Sequence, residues 1–171
     1  VALLNGLGGA ASAIVGCFSL MGIGADINAF SLATSALAIT VGMVTLTGSL
    51  VAAGKLHRIL PQKPIVLKRH PIYTIGLLAA VLVLIVLSSI YSVSKDIMWV
   101  FVVTNLVVSG AFGVIFSIRV GGADMPITIS LLNSLSGVAG AIAGLAINNL
   151  LLVAVGGIVG ASGLLLTQIM C

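Results

Sequence analysis

Six apolar runs, each long enough to cross a membrane, occupy nearly all of this 171-residue chain. A hydrocarbon core of about 30 Å requires about 20 residues of α-helix. The chain is 60% hydrophobic and 6% charged, which leaves almost no sequence for a soluble domain. We therefore predict an all-α, polytopic transmembrane bundle that forms one domain over 1–171. Its six helices are expected at 1–22, 30–52, 72–93, 97–118, 126–147 and 149–170.

The basic residues are concentrated on one side of the predicted membrane. The loop 54–71 has no acidic residue, and Arg119 lies in a connection on the same side. Only Lys95 falls on the other side, so the positive-inside rule places the loop and both termini in the cytoplasm or the mitochondrial matrix. We expect a protein of the bacterial or mitochondrial inner membrane, in contact with lipid. The basic residues of the loop are Lys55, Arg58, Lys63, Lys68 and Arg69.

The net charge of +4 is explained by this topology and does not indicate a nucleic-acid partner. A surface that binds single-stranded nucleic acid combines basic residues with aromatic residues that stack on the bases. No such aromatic residues are interleaved with the basic ones in the 54–71 loop.

Two segments 128 positions apart have nearly the same sequence. Residues 3–16 and 131–144 are identical at nine of fourteen positions, including Asn5 and Asn133. This repeat predicts two related helical hairpins, 1–52 and 126–170. Because both copies begin on the basic side, they are expected to be parallel repeats. By the repeat, the first helix is also expected to begin upstream of Val1.

Small residues recur at helical spacing in both copies and in the last helix. Such faces allow the close backbone approach through which membrane helices associate. The bulky run 72–93 lacks a face of this kind and is expected to contact lipid. We assign helix packing to Gly9, Gly16, Gly48, Gly137, Gly140, Gly144, Gly156, Gly160 and Gly163.

Asn5 and Asn133 are the two matched polar residues, each within an apolar run. An amide in a membrane helix often joins helices by a hydrogen bond, and it also marks transport paths. The matched positions and the shared small face favour a path. Because asparagine does not titrate, either residue would hold water or orient a titrating partner.

Other candidates have two interpretations each. Asp124 suits the N-cap of the fifth helix, ahead of Pro126, and it could also act at the membrane entrance with Arg119 as an ion partner. The hydroxyls of Ser49, Ser130 and Ser134 could line a wet path, although serine often bonds to its own helix backbone. His57 and His70 are expected to be solvated or interfacial.

Several functions are excluded for this chain alone. The six predicted spans contain no charged residue or histidine in their interiors, and a proton pump requires a titratable group. No phosphate-binding loop or nucleotide-binding unit is present. We therefore expect no catalytic residue, cofactor site or metal site here. Cys17 and Cys171 do not suggest a disulfide framework.

The stretch Gly121-Gly122-Ala123-Asp124-Met125-Pro126, followed by Leu132-Asn133-Ser134, is specific. With 45–56 and the glycines of the last helix, it resembles the membrane domain of the beta subunit of proton-translocating nicotinamide nucleotide transhydrogenase. The resemblance covers essentially the whole chain and implies hydride transfer from NADH to NADP⁺ coupled to proton translocation, in a homodimer. It also implies that other domains bind NAD(H) and NADP(H), and that alpha-subunit transmembrane helices are partners.

The resemblance places Asn133 on the proton path and Asp124 near its cytoplasmic mouth, facing the NADP(H) domain. Many members of that family have a histidine where this chain has Asn5, whereas other members have asparagine there and a histidine on another helix. Two different readings remain open from the residues. One is a self-contained secondary transporter or channel built from two parallel repeats, and the other is a structural assembly subunit.

Overall fold

The structure, a computed structural model, describes residues 1–23, 27–66, 68–90 and 95–171. It is a bundle of six long helices, and the described residues include no strand. Each helix is long and apolar enough to cross a membrane. The prediction of an all-α bundle of six membrane-spanning helices is confirmed. The helices are α1 Ala2–Leu20, α2 Ala29–Leu56, α3 His70–Ile90, α4 Lys95–Ile118, α5 Met125–Ala146 and α6 Leu150–Met170.

The largest departure from the predicted bounds is the end of α2. This helix continues through Leu56, so the first residues of the predicted 54–71 loop are helical. The helix was expected to end at residue 52, but Gly54 costs only about 1 kcal/mol inside a helix, and the buried Lys55 holds the last turn in place. Residues 91–93 of the predicted third helix, Asp26 and the side chain of Lys95 lie outside the described residues.

The helix α2 is central, because it packs against α1, α3, α4 and α5. The helix α1 also packs against α5, and α6 packs against α5. The outer helix α3 buries only His70, Val81 and Ser88, and it exposes its bulky apolar side chains as expected of a lipid-facing helix. The centre of the bundle therefore lies where α1, α2, α4 and α5 meet.

The hairpins α1–α2 and α5–α6 pack through glycines at equivalent positions. In each hairpin, a glycine of the second helix lies against the backbone oxygen of a glycine and the backbone nitrogen of an alanine in the first helix. These contacts join Gly42 to Gly9 and Ala13 in one hairpin, and Gly156 to Gly137 and Ala141 in the other. Because a Cβ at these glycines would collide with backbone atoms, glycine sets the distance between the helices.

A second pair of glycines repeats this equivalence nearer the hairpin connections. A Cβ on Gly16 would meet the backbone of Ser35 and Ile39. A Cβ on Gly144 would meet the backbone of Asn149 and Val153, the positions that correspond to Ser35 and Ile39. The same offsets, 128 residues between α1 and α5 and 114 between α2 and α6, relate both sets of contacts. The sequence repeat is therefore a structural repeat.

One glycine of the predicted packing set behaves differently. A Cβ on Gly140 would have no atom of the described residues within 4 Å. Its predicted packing role is therefore wrong within this chain, although the sequence face that contains it is regular. By contrast, Gly48 packs between α4 and α5, where a Cβ would approach Ser117 and Leu132.

Candidate functional site

Asn5 connects α1 to α5 inside the bundle, near the first turns of both helices. Its side chain is 7% exposed, and its Nδ2 donates a hydrogen bond to the carbonyl oxygen of Ile129 at 3.4 Å. In an α-helix, that carbonyl also accepts the backbone N–H of the residue four positions later, which here is Asn133. The carboxamide of Asn5 therefore lies one helical turn from Asn133, whose side chain is half-buried.

Two buried hydroxyls of the bundle have no hydrogen-bond partner, and one of them, on Ser49, lies beside this position. The Oγ atoms of Ser49 and Ser117 are both fully buried and unpartnered. A Cβ on Gly6, the neighbour of Asn5, would lie 3.3 Å from the Cβ of Ser49. Buried polar atoms are normally hydrogen-bonded to protein or to ordered water. A bound water molecule would satisfy these hydroxyls.

Ser130 and Ser134 join α5 to α6. The Ser134 hydroxyl donates to the carbonyl oxygen of Gly160 at 2.6 Å, and the Thr167 hydroxyl donates to Ser130 Oγ at 3.0 Å. Ser130 and Ser134 thus bond to α6 and not to their own helix, and Ser49 makes no bond to its own helix either. Thr45 does bond to its own helix, donating to the carbonyl oxygen of Val41 at 2.7 Å.

Asp124 occupies the N-cap position of α5, at the end of a short 3₁₀ turn, Gly122–Asp124. Its side chain makes no capping hydrogen bond, so the interpretation of the carboxylate as a cap is wrong. Only its backbone carbonyl is used locally, accepting from the Thr128 hydroxyl at 3.2 Å. The carboxylate remains exposed and forms part of the wall of a cavity.

This cavity, which we call the mouth cavity, has a volume of about 360 Å³ and lies at the end of the bundle that carries the basic loop. Asp124 and Arg119 both line it, and an ion pair between them stays a prediction. It also includes His70, which is only 2% exposed, so the expectation of a solvated side chain is wrong for this residue. His57 is exposed as expected. The lining residues are Pro64, His70, Thr74, Phe116, Arg119, Val120, Gly121 and Asp124.

Lys55 is fully buried behind this cavity, although the sequence placed it in a solvated loop. Its Nζ donates to the carbonyl oxygens of Ile118 and Val120, each at 2.6 Å. The last carbonyls of a helix carry partial negative charge and have no partner within the helix, so a cation there is stabilising. Lys55 therefore caps the C-terminus of α4 from α2.

Side-chain and backbone hydrogen bonds fasten the basic loop to the end of α2 and to the connection between α4 and α5. Gln62 Nε2 donates to the carbonyl oxygen of Lys55 at 2.8 Å, and the Gln62 carbonyl accepts from the N–H of Gly122 at 2.9 Å. The Ile65 N–H donates to the carbonyl oxygen of Ile118 at 3.2 Å. Together with Lys55, these contacts hold the segment that precedes Asp124 in a defined position.

Other polar contacts inside the bundle were also missed at the sequence level. Asn105 is buried and accepts from the Thr40 hydroxyl at 3.0 Å, while its Nδ2 donates to the carbonyl oxygen of Ala36 at 3.2 Å. Ser35 donates to Ser19 Oγ at 2.8 Å. The only sequence signal for these pairs is the presence of polar residues in α2 and α4. In the described part of the chain, no three His, Cys, Asp or Glu side chains form a possible metal site.

Comparisons with known proteins point to one family. The sequence model described as NAD(P) transhydrogenase beta subunit matches residues 1–171. NAD(P) transhydrogenase subunit beta of Rhodospirillum rubrum is 36% identical over 178 aligned residues, and a second sequence of that name, from a particular strain of the species, gives the same identity. Each alignment covers 100% of this chain and 37% of the relative.

The chain thus spans a little more than a third of the length of these relatives. The reading as a self-contained transporter receives no support from the comparisons, since the matched family model and both of these relatives are transhydrogenase beta subunits. The six spanning helices and the matched family identify an integral membrane protein that is one part of an enzyme complex. The chain belongs to the NAD(P) transhydrogenase beta subunit family.

Proposed function

We propose that this chain is the proton-conducting membrane segment of a transhydrogenase that couples hydride transfer from NADH to NADP⁺ to proton translocation. The observation that carries the proposal is the contact of Asn5 with the Ile129 carbonyl, one turn from Asn133. With the unpartnered hydroxyl of Ser49 nearby, this contact forms a buried polar site within an otherwise apolar part of the bundle. Such intramembrane polar sites commonly mark ion or proton pathways.

In this proposal, Asn133 and Asn5 hold and orient water, since neither amide titrates. Ser49 supplies a hydroxyl on the α2 side of the same path. Ser130 and Ser134 line the path from α5 and hold α6 in place through their contacts with Thr167 and Gly160. The packing glycines keep the helices close enough to exclude lipid from the path.

Asp124 serves the path at its mouth, on the side of the basic loop. Its carboxylate is exposed at the end of α5, where it can respond to the charge of a soluble domain that docks there. We propose that this domain binds NADP(H), and that another domain binds NAD(H). No cofactor is assigned to the residues of this chain, and it contributes no catalytic residue to hydride transfer.

The partners follow from the same proposal. The α3 and α6 helices expose many large apolar side chains, among them Leu82, Ile158 and Leu165, which suit lipid or further transmembrane helices. We propose that the transmembrane helices of the alpha subunit cover part of this surface, and that the whole enzyme is a homodimer. We place it in a bacterial or mitochondrial inner membrane.

The test uses the intact enzyme in sealed vesicles, with proton pumping and hydride transfer measured separately. Asn133→Ala and Asp124→Asn should each lower pumping at least tenfold while nucleotide affinity stays unchanged. Asn105→Ala is the matched control, because Asn105 is a buried amide whose hydrogen bonds are made within α2 and α4. If both Asn133→Ala and Asp124→Asn pump normally, Asn133 acts only in helix packing and the charge of Asp124 is not needed. That result would refute the proposal.

A further inference from the structure

His70 combines deep burial with an unsatisfied polar atom. The imidazole is 2% exposed, and its Nδ1 has no hydrogen-bond partner. A buried donor or acceptor left unpaired lowers stability by about 1–3 kcal/mol. An unpaired imidazole nitrogen therefore indicates a water partner or a functional role. The residue lies at the first position of α3, a helix that otherwise buries only Val81 and Ser88.

The imidazole lies in the wall of the mouth cavity together with Asp124 and Arg119. The cavity volume of about 360 Å³ corresponds to a sphere about 9 Å across, with room for on the order of ten water molecules. Water in a cavity of this size can link groups in its wall that make no direct contact with one another.

The charged groups around the imidazole come from every element that walls the cavity. Arg119 follows α4, and Asp124 ends the turn before α5. Arg69 precedes His70 in the chain and is exposed. The remaining cation, Lys55 of α2, is engaged with the carbonyls of Ile118 and Val120. Asp124 is thus the acidic partner that shares the cavity with His70.

We propose that His70 is a proton-exchanging residue at the mouth of the bundle, working with Asp124 through the water of the mouth cavity. The inference rests on the function proposed above. A hydronium ion in the cavity gives one proton to the neutral imidazole and becomes water, and the resulting imidazolium passes that proton through water to the Asp124 carboxylate. The carboxylic acid then releases the proton to water outside the mouth, so that both side chains return to their starting forms. Histidine suits this step because its charge changes in the physiological pH range.

The first experiment compares the two histidines of the chain in the intact enzyme. His70→Gln keeps a polar side chain of similar size but cannot titrate, and His57→Gln makes the same change at an exposed position. Across a range of pH, His70→Gln should lower proton pumping at least tenfold and flatten its pH profile. His57→Gln should retain both the rate and the profile. An unchanged profile in His70→Gln would overturn the inference.

The second experiment does not depend on activity. Deuterium exchange at the imidazole C2 position, measured by mass spectrometry on the intact enzyme as pH is varied, reports the titration of each histidine. Asp124→Asn should change the exchange curve of His70 and leave that of His57 unchanged. Identical His70 curves with and without the Asp124 carboxylate would show that the two groups do not interact, and the inference would be wrong. This conclusion would hold even if His70→Gln pumped poorly because it misfolds.

These outcomes separate the two proposals. If Asn133→Ala and Asp124→Asn pump normally, the proposed function fails. If they stop pumping while His70→Gln pumps with an unaltered pH profile, only the inference about His70 fails.

Discussion

Gly9 and Gly42 lie so close together that a Cβ built on either residue would come within 2.6 Å of the backbone oxygen of the other. Backbone atoms cannot yield as the end of a flexible side chain can. Any side chain at these positions would therefore separate α1 from α2. The same relationship joins Gly137 to Gly156, so the spacing of both hairpins depends on glycine.

We predict that Gly42→Ala and Gly137→Ala destabilise the membrane bundle by about 1–3 kcal/mol, the usual cost of overpacking. Gly140→Ala and Gly157→Ala are matched controls, because a Cβ at either position meets nothing within 4 Å. Unfolding of the purified intact enzyme in a titration with sodium dodecyl sulfate, followed by loss of helical signal, measures the difference. Equal stability in all four variants would show that the close approach of the helices is not required.

The packing glycines could be predicted because the absence of a side chain is a local property. Wherever a helix face of small residues meets another helix, close approach follows. The outcome at Gly140 marks the limit of this reasoning. The regular spacing identified the face of α5, but the sequence did not indicate which part of that face meets a neighbouring helix of the same chain.

We predict that Lys55→Met loosens the connection between α4 and α5 and destabilises the bundle by about 1.5–3 kcal/mol, the range for a hydrogen bond to a charged group. Methionine preserves the length of the side chain but removes the charged donor from both carbonyls, so that Ile118 keeps only its bond from the Ile65 N–H. The readout is the rate at which a cysteine at the exposed position Ala123 reacts with a maleimide.

Lys63→Met is the control for this prediction, because Lys63 is an exposed lysine of the same loop. The reaction at position 123 should accelerate in Lys55→Met and remain unchanged in Lys63→Met. If neither variant alters the rate, the contacts of Lys55 do not position the segment before Asp124.

Lys55, Gln62 and His70 were not identified as site residues from the sequence, and they share one reason. Each lies in or beside a basic, proline-containing stretch that reads as a solvated loop. Lys55 and His70 are buried and Gln62 is held in place, because the loop folds back on the end of α4 through the Ile65 N–H and on Gly122 through the Gln62 carbonyl. Contacts between segments so far apart in the chain leave no periodic signal. Asp124 was identified because an acidic residue two positions before Pro126 is typical of the N-terminus of a helix.

The topology yields a prediction that requires no activity. Lys63 and Asp96 are both exposed, and they are expected on opposite sides of the membrane. In intact cells or sealed vesicles, a membrane-impermeant reagent should label a cysteine at only one of these two positions. The cysteine at the other position should be labelled only after the membrane is permeabilised. Labelling of both positions from the same side would contradict the six-span arrangement.

We predict that the amide of Asn105 acts in helix packing alone. It accepts from Thr40 and donates to the carbonyl of Ala36, so it is paired on both sides. A double-mutant cycle with Thr40→Val and Asn105→Leu should give a coupling energy of about 0.6 kcal/mol and no more than about 1.7 kcal/mol, as for other polar pairs between membrane helices.

Proton pumping per hydride transferred should be unchanged in Asn105→Leu and reduced in Asn5→Leu. Asn5 differs from Asn105 in its surroundings, because its single long hydrogen bond to Ile129 lies beside the unpartnered hydroxyl of Ser49. An amide with unused donors and acceptors next to another unsatisfied group can bind water, whereas a fully paired amide cannot exchange its partners without cost. If Asn105→Leu impaired coupling as strongly as Asn5→Leu, the loss would reflect helix packing in general, and the distinction between a path amide and a packing amide would have to be abandoned.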